Sequence, residues 1–473
     1  MSPGYSVSPV SERAARVRFR RALSLMAMTL VAPGSAQLVA GNRRVGRIAL
    51  RIWVGLLGLL AFTLLSVAVH RDLVFWLGFN TSLLLLLRLA LMAAAIGWAF
   101  LLVDAWRLGQ PLSLRLGHRR AAVSVNGVLC LTVVGSLLFG AHLAAVQRDL
   151  IVTLSGDGEV TGAHAGRFNV LLMGGDSGAG RWGLRPDSMT VASIDAETGR
   201  TVLISLPRNM EDVPFRKGTV MDDQFPDGFD CEGCYLNGVS TWAGDNTGLF
   251  PGSDNPGVDA TIMAIEGITG LRINYWAMVN LEGFKSLVDA VGGVTLTVRD
   301  RIPVGGLGSD VYDYIEPGTR KLDGFETLWY ARAREGSDDY SRMARQKCVM
   351  NAMLHQVSPQ QAVTNFEEIA KASTELISTN LPASEFDTFM SLALKARDQK
   401  ISTLSLVPPM INPADPDISM IKDKVSDAID EAEGNAAPAK ARKKAPDTVT
   451  GGSIGSRDEG YAANDAEDLG TAC

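Results

Sequence analysis

The 473-residue chain has no P-loop and no HExxH. Nucleotide cradling by a glycine-rich phosphate loop and zinc proteolysis on a helix are therefore excluded as starting points. Positive charge is not in excess, with 45 Lys and Arg against 51 Asp and Glu, a net −6. The basic N-terminus is short and reads as a topology signal, so no nucleic-acid partner is expected. Cysteine is scarce. Of five, only Cys231 and Cys234 stand close together, as CEGC in a Gly/Asp-rich stretch. A CxxC can be a zinc half-site, a redox pair or a small disulfide. No second CxxC or histidine pair completes a metal site, so a disulfide closing this loop is the expectation. Cys348 falls on an expected helix and Cys473 is the last residue. No internal repeat is evident, and no cleavage-type region follows the first apolar stretch.

What is present begins with apolar runs at residues 52–69, 83–103 and 121–146. Each approaches the roughly 20 residues that a helix needs to cross a bilayer core. A weaker run, 22–40, is broken at Pro33-Gly34 and flanked by arginines on both sides. If both flanks are cytoplasmic, it dips in and returns or lies in the interface. Arg107, Arg115, Arg119 and Arg120 make the loop after the second crossing cytoplasmic too, so the chain beyond about residue 150 lies outside. The expected order is a cytoplasmic basic N-terminus with a re-entrant segment (1–48), about three membrane helices (49–147) and a linker (148–167). An extracytoplasmic domain (168–425) and a disordered tail (426–473) follow. The tail is rich in Ala, Glu, Lys and Gly and almost free of aromatics.

In the soluble part, strands are expected at 168–173, 189–194, 201–206, 275–279 and 294–298. Helices are expected at 258–267, 281–291, 322–330, 340–357 and 366–394. Strands alternating with helices imply an α/β domain with a mixed central sheet flanked by helices. Residues 210–256 read as a long irregular stretch, which in a compact domain is usually functional or partly disordered.

Residues 330–347 read YARAREGSDDYSRMARQK. Arg332 and Arg334, two apart, would share a face in an extended segment. Arg342 and Arg345, three apart, would share one on a helix. Asp338 and Asp339 sit between the pairs. Arginine suits planar, multidentate contact with phosphate and stays charged when partly desolvated. A salt-bridged surface would use the same residues. Upstream, the turn after the first soluble strand carries Asp176, Arg185 and Asp187. Two carboxylates suit Mg²⁺ (or Mn²⁺), which completes its shell with water and phosphate oxygens. Carboxylates, arginines and a membrane anchor together suit phosphoryl transfer on a lipid-linked pyrophosphate.

Five segments in order resemble the LytR–CpsA–Psr family of bacterial cell-wall glycopolymer ligases: NVLLMGGDSGAGRWGLRPDSMTVASID, TVLISLPRN, LNGVSTWAG, GFKSLVDAVGGVTLTV, and LDGFETLWYARARE with DDYSRMARQ. The resemblance implies an α/β/α sandwich that moves a glycopolymer phosphate from a polyprenyl-pyrophosphate carrier to peptidoglycan. It implies Asp176 and Asp187 as Mg²⁺ ligands. Arg185, Arg208, Arg332, Arg334, Arg342, Arg345 and Gln346 would hold the pyrophosphate, the first four acting in catalysis. One position departs: the family's usual Asp after the Pro-Arg pair is Asn209 here, which cannot act as a base. The same residues would also serve a lipid-pyrophosphate phosphatase, and the family's naming also suggests a non-enzymatic membrane regulator of transcription or wall stress.

Overall fold

The structure is a computed structural model that describes residues 9–69, 72–156, 158–176, 185–306, 310–356, 377–434, 464 and 469–473. It divides into two compact units, Met1–Ile151 and Val152–Cys473.

The first unit is helical: α1 (Pro9–Val31), α2 (Ser35–Ala40), α3 (Arg43–Val69), α4 (Asp72–Phe79), α5 (Thr81–Leu108) and α6 (Leu116–Leu154). Among the described residues three segments are long and apolar enough to cross a membrane, Arg43–Ser66, Thr81–Ser113 and Leu116–Thr153. α3 leaves Leu56, Leu59, Phe62 and Leu65 exposed, a surface suited to hydrocarbon, where a helix satisfies its own backbone. The break at Pro33-Gly34 separates α1 from α2. Gly34 adopts φ +94°, and a Cβ there would lie 2.6 Å from the Gly46 carbonyl oxygen, so the turn requires glycine. The segment packs on α5. Leu25 and Ala36 are buried with Ala105, the Gln37 amide donates to the Leu101 carbonyl at 3.0 Å, and the Trp98 indole donates to the Thr29 carbonyl at 3.1 Å. α6 continues to Leu154, so helix occupies the first part of the expected linker.

The second unit is a six-stranded mixed sheet of β1 (Arg167–Asp176), β2 (Arg185–Asp195), β3 (Thr201–Leu206), β4 (Tyr275–Asn280), β9 (Ile377–Thr379) and β10 (Ile401–Ser405), in the order β10-β3-β2-β1-β4-β9. Two-stranded ladders pair β5 (Val294–Val298) with β8 (Gly318–Leu322), and β6 (Ile302–Gly305) with β7 (Val311–Ile315). β2 is antiparallel to β1 and β3, β1 is parallel to β4, and β10 is parallel to β3. The carboxyl ends of β1, β3, β4 and β10 therefore share one edge of the sheet with the start of β2.

Strand alternation divides the core into two layers. Leu171, Met173, Val202, Ile204 and Leu206 face one layer. Leu172, Ala192, Leu203 and Ile401 face the other. β3 is buried at all six positions, as expected of a strand covered on both faces. The first layer is closed by α7 (Val220–Gln224), α8 (Gly238–Asp245) and α9 (Pro256–Thr269). The second is closed by α10 (Leu281–Ala290), α11 (Gly324–Arg332) and α12 (Asp339–Gln356). Near the sheet's other edge, α13 (Phe386–Arg397) sets Phe389 against Phe168 and Tyr275. The expected mixed sheet flanked by helices is the architecture observed.

Three expectations change. Residues 210–256 are not loose. They carry α7 and α8, and Val213, Phe215, Met221, Phe229 and Leu236 are buried. Phe225 packs edge-on against Phe229 at 5.1 Å and Trp242 at 4.8 Å. The buried apolar residues are irregularly spaced among Gly, Asp and Pro, so no periodic run announces the packing. β6, β7, β8 and β10 were not expected, because their lengths of 4–5 residues leave little alternation to read. The expected helix over 366–394 lies partly outside the described residues, and its described part holds β9 and α13.

The tail expected from residue 426 needs correction at both ends. α14 (Ile418–Glu433) carries the helix past that boundary, capped by Asp417 and ended by Gly434 at φ +77°. Its Ile421 and Val425 are buried with Ala428, Ile429 and Ala432 against them, and Glu433 pairs with buried Arg167 at 3.0 Å. At the far end Leu469 and Ala472 are buried in the second layer, and Cys473 is bonded to Cys348 of α12. Low aromatic content hid both contacts, which are made by small aliphatic residues. Most of the rest of the tail lies outside the described residues. Cys231 and Cys234 form a second disulfide, and Cys130 is free. Peptide mapping of the unreduced, alkylated protein should return the pairs Cys231–Cys234 and Cys348–Cys473, with only Cys130 alkylated.

Candidate phosphate-binding site

The site forms where β1 gives way to β2. The ladder pairs Gly174 with Ser188 and Gly175 with Pro186, so Asp187 is the residue that the register skips. Such a bulge bends the strand and re-aims the extra side chain, and bulges are common beside active sites. Asp176 and Arg185 pair across the same ladder. Their side chains lie outside the described residues, but the register brings their backbone to the edge that holds Asp187. Ligand sites in α/β sheets lie off the carboxyl ends of strands, as here.

β3 ends at Leu206, and Pro207 stops its ladder. Arg208 follows, with its carbonyl held by the Asn237 amide at 3.0 Å. Its Nη1 donates to Asp187 Oδ1 at 2.5 Å. The neighbouring Asn209 is exposed.

The third contribution comes from the junction of α11 and α12. α11 starts in a capping box, with Asp323 and Glu326 each accepting from the other's backbone amide. It ends at Arg332, and Ala333 leaves the helix with φ −57° and ψ +134°. Gly336, at φ +66°, turns the chain, and Asp338 caps α12 by accepting from the Ser341 amide at 2.7 Å. Arg332 is thus helical, not extended. Its guanidinium lies 5.1 Å from the Trp329 ring centroid, while Arg334, in the turn, reaches the other way toward Asp339.

Asp339 is the centre of the cluster. Arg342 Nη2 donates to its Oδ2 at 3.0 Å, and Arg208 Nε and Arg334 Nη1 lie 3.6 Å and 3.9 Å from its Oδ1. Arg342 also donates to the Asp187 carbonyl at 2.9 Å, joining α12 to the β2 bulge. Gln346 bridges likewise, accepting from Ser188 Oγ at 2.9 Å and donating to the Ala331 carbonyl at 3.2 Å. Arg345 is buried and donates to the Ala333 carbonyl beside Arg334.

The structure therefore gathers Asp187, Arg208, Arg334, Arg342 and Gln346 into one set and places Arg345 beneath it. Arg332 sits apart, over Trp329. Asp339 was legible as an acidic residue between arginine pairs, and its spacing three before Arg342 was the available signal. Its role required knowing that Arg208, 131 positions away, comes to the same carboxylate.

Cations outnumber carboxylates among the described side chains here. Arg342 is only 5% exposed. Burial pushes its guanidinium below the usual arginine value, Asp339 opposes that, and Arg208 adds to it. Arginine keeps its charge through such a shift. Among the described residues its buried Nε has no hydrogen-bond partner, and an unsatisfied buried donor is costly until an acceptor reaches it. A set of guanidiniums held by carboxylates, with a donor to spare, is arranged to receive a multiply charged oxyanion. Among the described residues no cluster of three or more His, Cys, Asp or Glu side chains forms a metal cage. Asp187, with Asp176 on the adjoining strand, supplies only hard oxygen donors. That set fits Mg²⁺ or Mn²⁺ completed by phosphate and water.

The chain is 26% identical over 286 residues to biofilm regulatory protein A of Streptococcus mutans, covering 59% of this chain and 64% of that protein. It is 27% identical over 241 residues to a polyisoprenyl-teichoic acid–peptidoglycan teichoic acid transferase, TagU, of Oceanobacillus iheyensis, covering 50% and 66%. It is 26% identical over 244 residues to TagV of Bacillus subtilis, covering 50% and 56%. The matches thus span between half and two thirds of these relatives' lengths. The crystal structure of B. subtilis TagV aligns at 23% identity and a TM-score of 0.42, over 57% of this chain and 98% of that one. The LytR_cpsA_psr family model matches residues 144–412, more than half of the chain, and the protein belongs to that family.

Proposed function

We propose that the protein transfers a glycopolymer phosphate from a polyprenyl-pyrophosphate carrier to a peptidoglycan hydroxyl on the outer face of a bacterial membrane. The observation that carries this reading is the convergence of Arg208, Arg334 and Arg342 on Asp339, beside the bulge that presents Asp187. The names of the TagU and TagV relatives support the substrate class.

In this reading, Asp187 and Asp339 hold the guanidiniums in place before substrate arrives, and phosphate oxygens then take over part of their contacts. Holding donors ready for developing charge is the main protein contribution to phosphoryl transfer. The acceptor hydroxyl attacks the glycan-bearing phosphorus in line. The phosphorus bond to the bridging oxygen breaks, polyprenyl phosphate leaves with that oxygen, and the proton of the acceptor hydroxyl passes to the departing phosphate or to water. Arg208 and Arg334 are partly exposed, and they would orient the incoming pyrophosphate. Buried Arg342 would supply a fixed charge that needs no reorganisation. We assign Mg²⁺ (or Mn²⁺) to Asp187 and Asp176, where it would neutralise phosphate charge when bound. The transition state is loose in most analyses, so little is asked of a base. This accommodates Asn209 in the position where the family carries Asp.

The three apolar helices and both disulfides suit a membrane protein whose second unit is outside, since disulfides persist in oxidising compartments. An alkaline phosphatase fusion placed after residue 155 should be active, and one placed after residue 115 inactive. The reverse pattern would overturn the orientation.

With a lipid-linked glycan donor and peptidoglycan fragments, Arg334→Ala and Asp339→Ala should each lower kcat/KM about 100-fold or more, as losses of charge-stabilising groups do. Free phosphorylated glycan without ligated product would mean a phosphatase. Variants without effect on cell-wall phenotype would leave a non-enzymatic regulator. Chelation with EDTA should abolish transfer, and added Mg²⁺ or Mn²⁺ should restore it.

A further inference from the structure

The arginine helix α12 is fixed from behind by the far end of the chain. Lys347, one residue past Gln346, is fully buried and reaches Ser405 Oγ at the carboxyl end of β10. Asn464 completes that contact from three sides. Its Oδ1 accepts from Lys347 Nζ at 3.1 Å, its Nδ2 donates to the Tyr340 carbonyl at 2.9 Å, and its own carbonyl accepts from Ser405 Oγ at 3.0 Å. Tyr340 lies in the first turn of α12, between Asp339 and Arg342. Ser405 pairs with Ser205 in β3, three residues before Arg208. Asn464 therefore touches the helix that carries Asp339 and Arg342, and β10, the strand paired with the one that Arg208 follows. The same part of the chain is bonded to α12 through Cys473 and Cys348, next to Lys347.

All three polar residues are less than a tenth exposed. Buried polar groups of this kind cost stability unless satisfied, and satisfied they fix one geometry. A hydrophobic contact would hold α12 to β10 without selecting its rotation or its height. The Asn464 contacts select both, because three hydrogen bonds must be met at once.

We propose that Asn464 is a positioning residue for the arginine cluster, acting through Lys347, Ser405 and the Tyr340 carbonyl to set α12 against the sheet edge at the separation a pyrophosphate requires. It touches no substrate. The proposal rests on the pyrophosphate reading above for its effect on catalysis, and on the hydrogen bonds alone for its effect on α12.

The test uses full-length protein in detergent or nanodiscs, with two readouts. Hydrogen exchange over residues 339–346 reports the helix, and the KM/kcat split with the lipid-linked donor reports the cluster. Asn464→Ala should speed exchange over the first turn of α12 and raise the donor KM about tenfold, the size of effect expected from losing a hydrogen bond to a charged group, with kcat little changed. Asn464→Asp, which keeps an acceptor for Lys347 but loses the donor to the Tyr340 carbonyl, should recover only part of the lost affinity. Wild-type exchange and KM in Asn464→Ala would overturn the proposal. So would a uniform rise in exchange across the whole domain in both variants, which would mark a merely structural residue. Arg334→Ala is the control for the underlying reading. If it leaves donor turnover intact, the pyrophosphate assignment fails, while exchange in Asn464→Ala still decides whether α12 is positioned by this contact.

Discussion

Guanidiniums repel one another, and several can occupy one small volume only if something holds them there. In this protein that constraint is met by Asp339. Its two oxygens gather Arg342 from its own helix, Arg334 from the preceding turn and Arg208 from the end of β3. Asp187 engages Arg208 from the opposite side. A deeply buried ion pair is seldom a source of net stability. Here the cluster is partly open, and its value lies in geometry: it keeps charges close together that would otherwise disperse into solvent. The sheet edge, the β2 bulge and the α11–α12 turn can all be understood as ways to bring the participants to that carboxylate.

The bulge is the least conspicuous of these devices. Without it, regular alternation would send Asp187 to the face opposite both Pro186 and Ser188. With the register skipping Asp187, its carboxylate is free to meet Arg208, its carbonyl meets Arg342, and Ser188 still reaches Gln346. The irregular residue and its neighbour thus tie β2 to α12 at two points and to the residues that follow β3 at a third. The turn at Gly336 does similar work for Arg334, letting α11 end and α12 begin within a few residues.

The strongly apolar and strongly patterned parts of the chain were readable directly. The membrane-length runs, the break at Pro33-Gly34, β3, β5 and the helix that stops before Gly292 follow from hydropathy and from where proline and glycine stand. Elements of four or five residues, such as β6 and β10, offer too little periodicity. The packed stretch from Val213 to Leu236 spaces its apolar residues irregularly, and α14 continues past an apparent change of composition because a few aliphatic residues, Ile421, Val425 and Ile429 among them, suffice to cover one side of it. In the site, local spacing exposed the arginines and Asp187. It misjudged the backbone at Arg332, which belongs to a helix that ends two residues later than expected.

Sequence by itself determined which charges exist, that they cluster in short segments, and that a membrane-length helical region precedes an α/β domain. These follow from composition and from periodicities of two and 3.6, which are local properties. Only the tertiary structure decided which charges meet. Asp339 and Arg208, or Asn464 and Lys347, are separated by more than a hundred residues, and no local pattern relates them. Their meeting depends on strand order and register, and on a covalent link from Cys473 back to Cys348 that spacing could not assign.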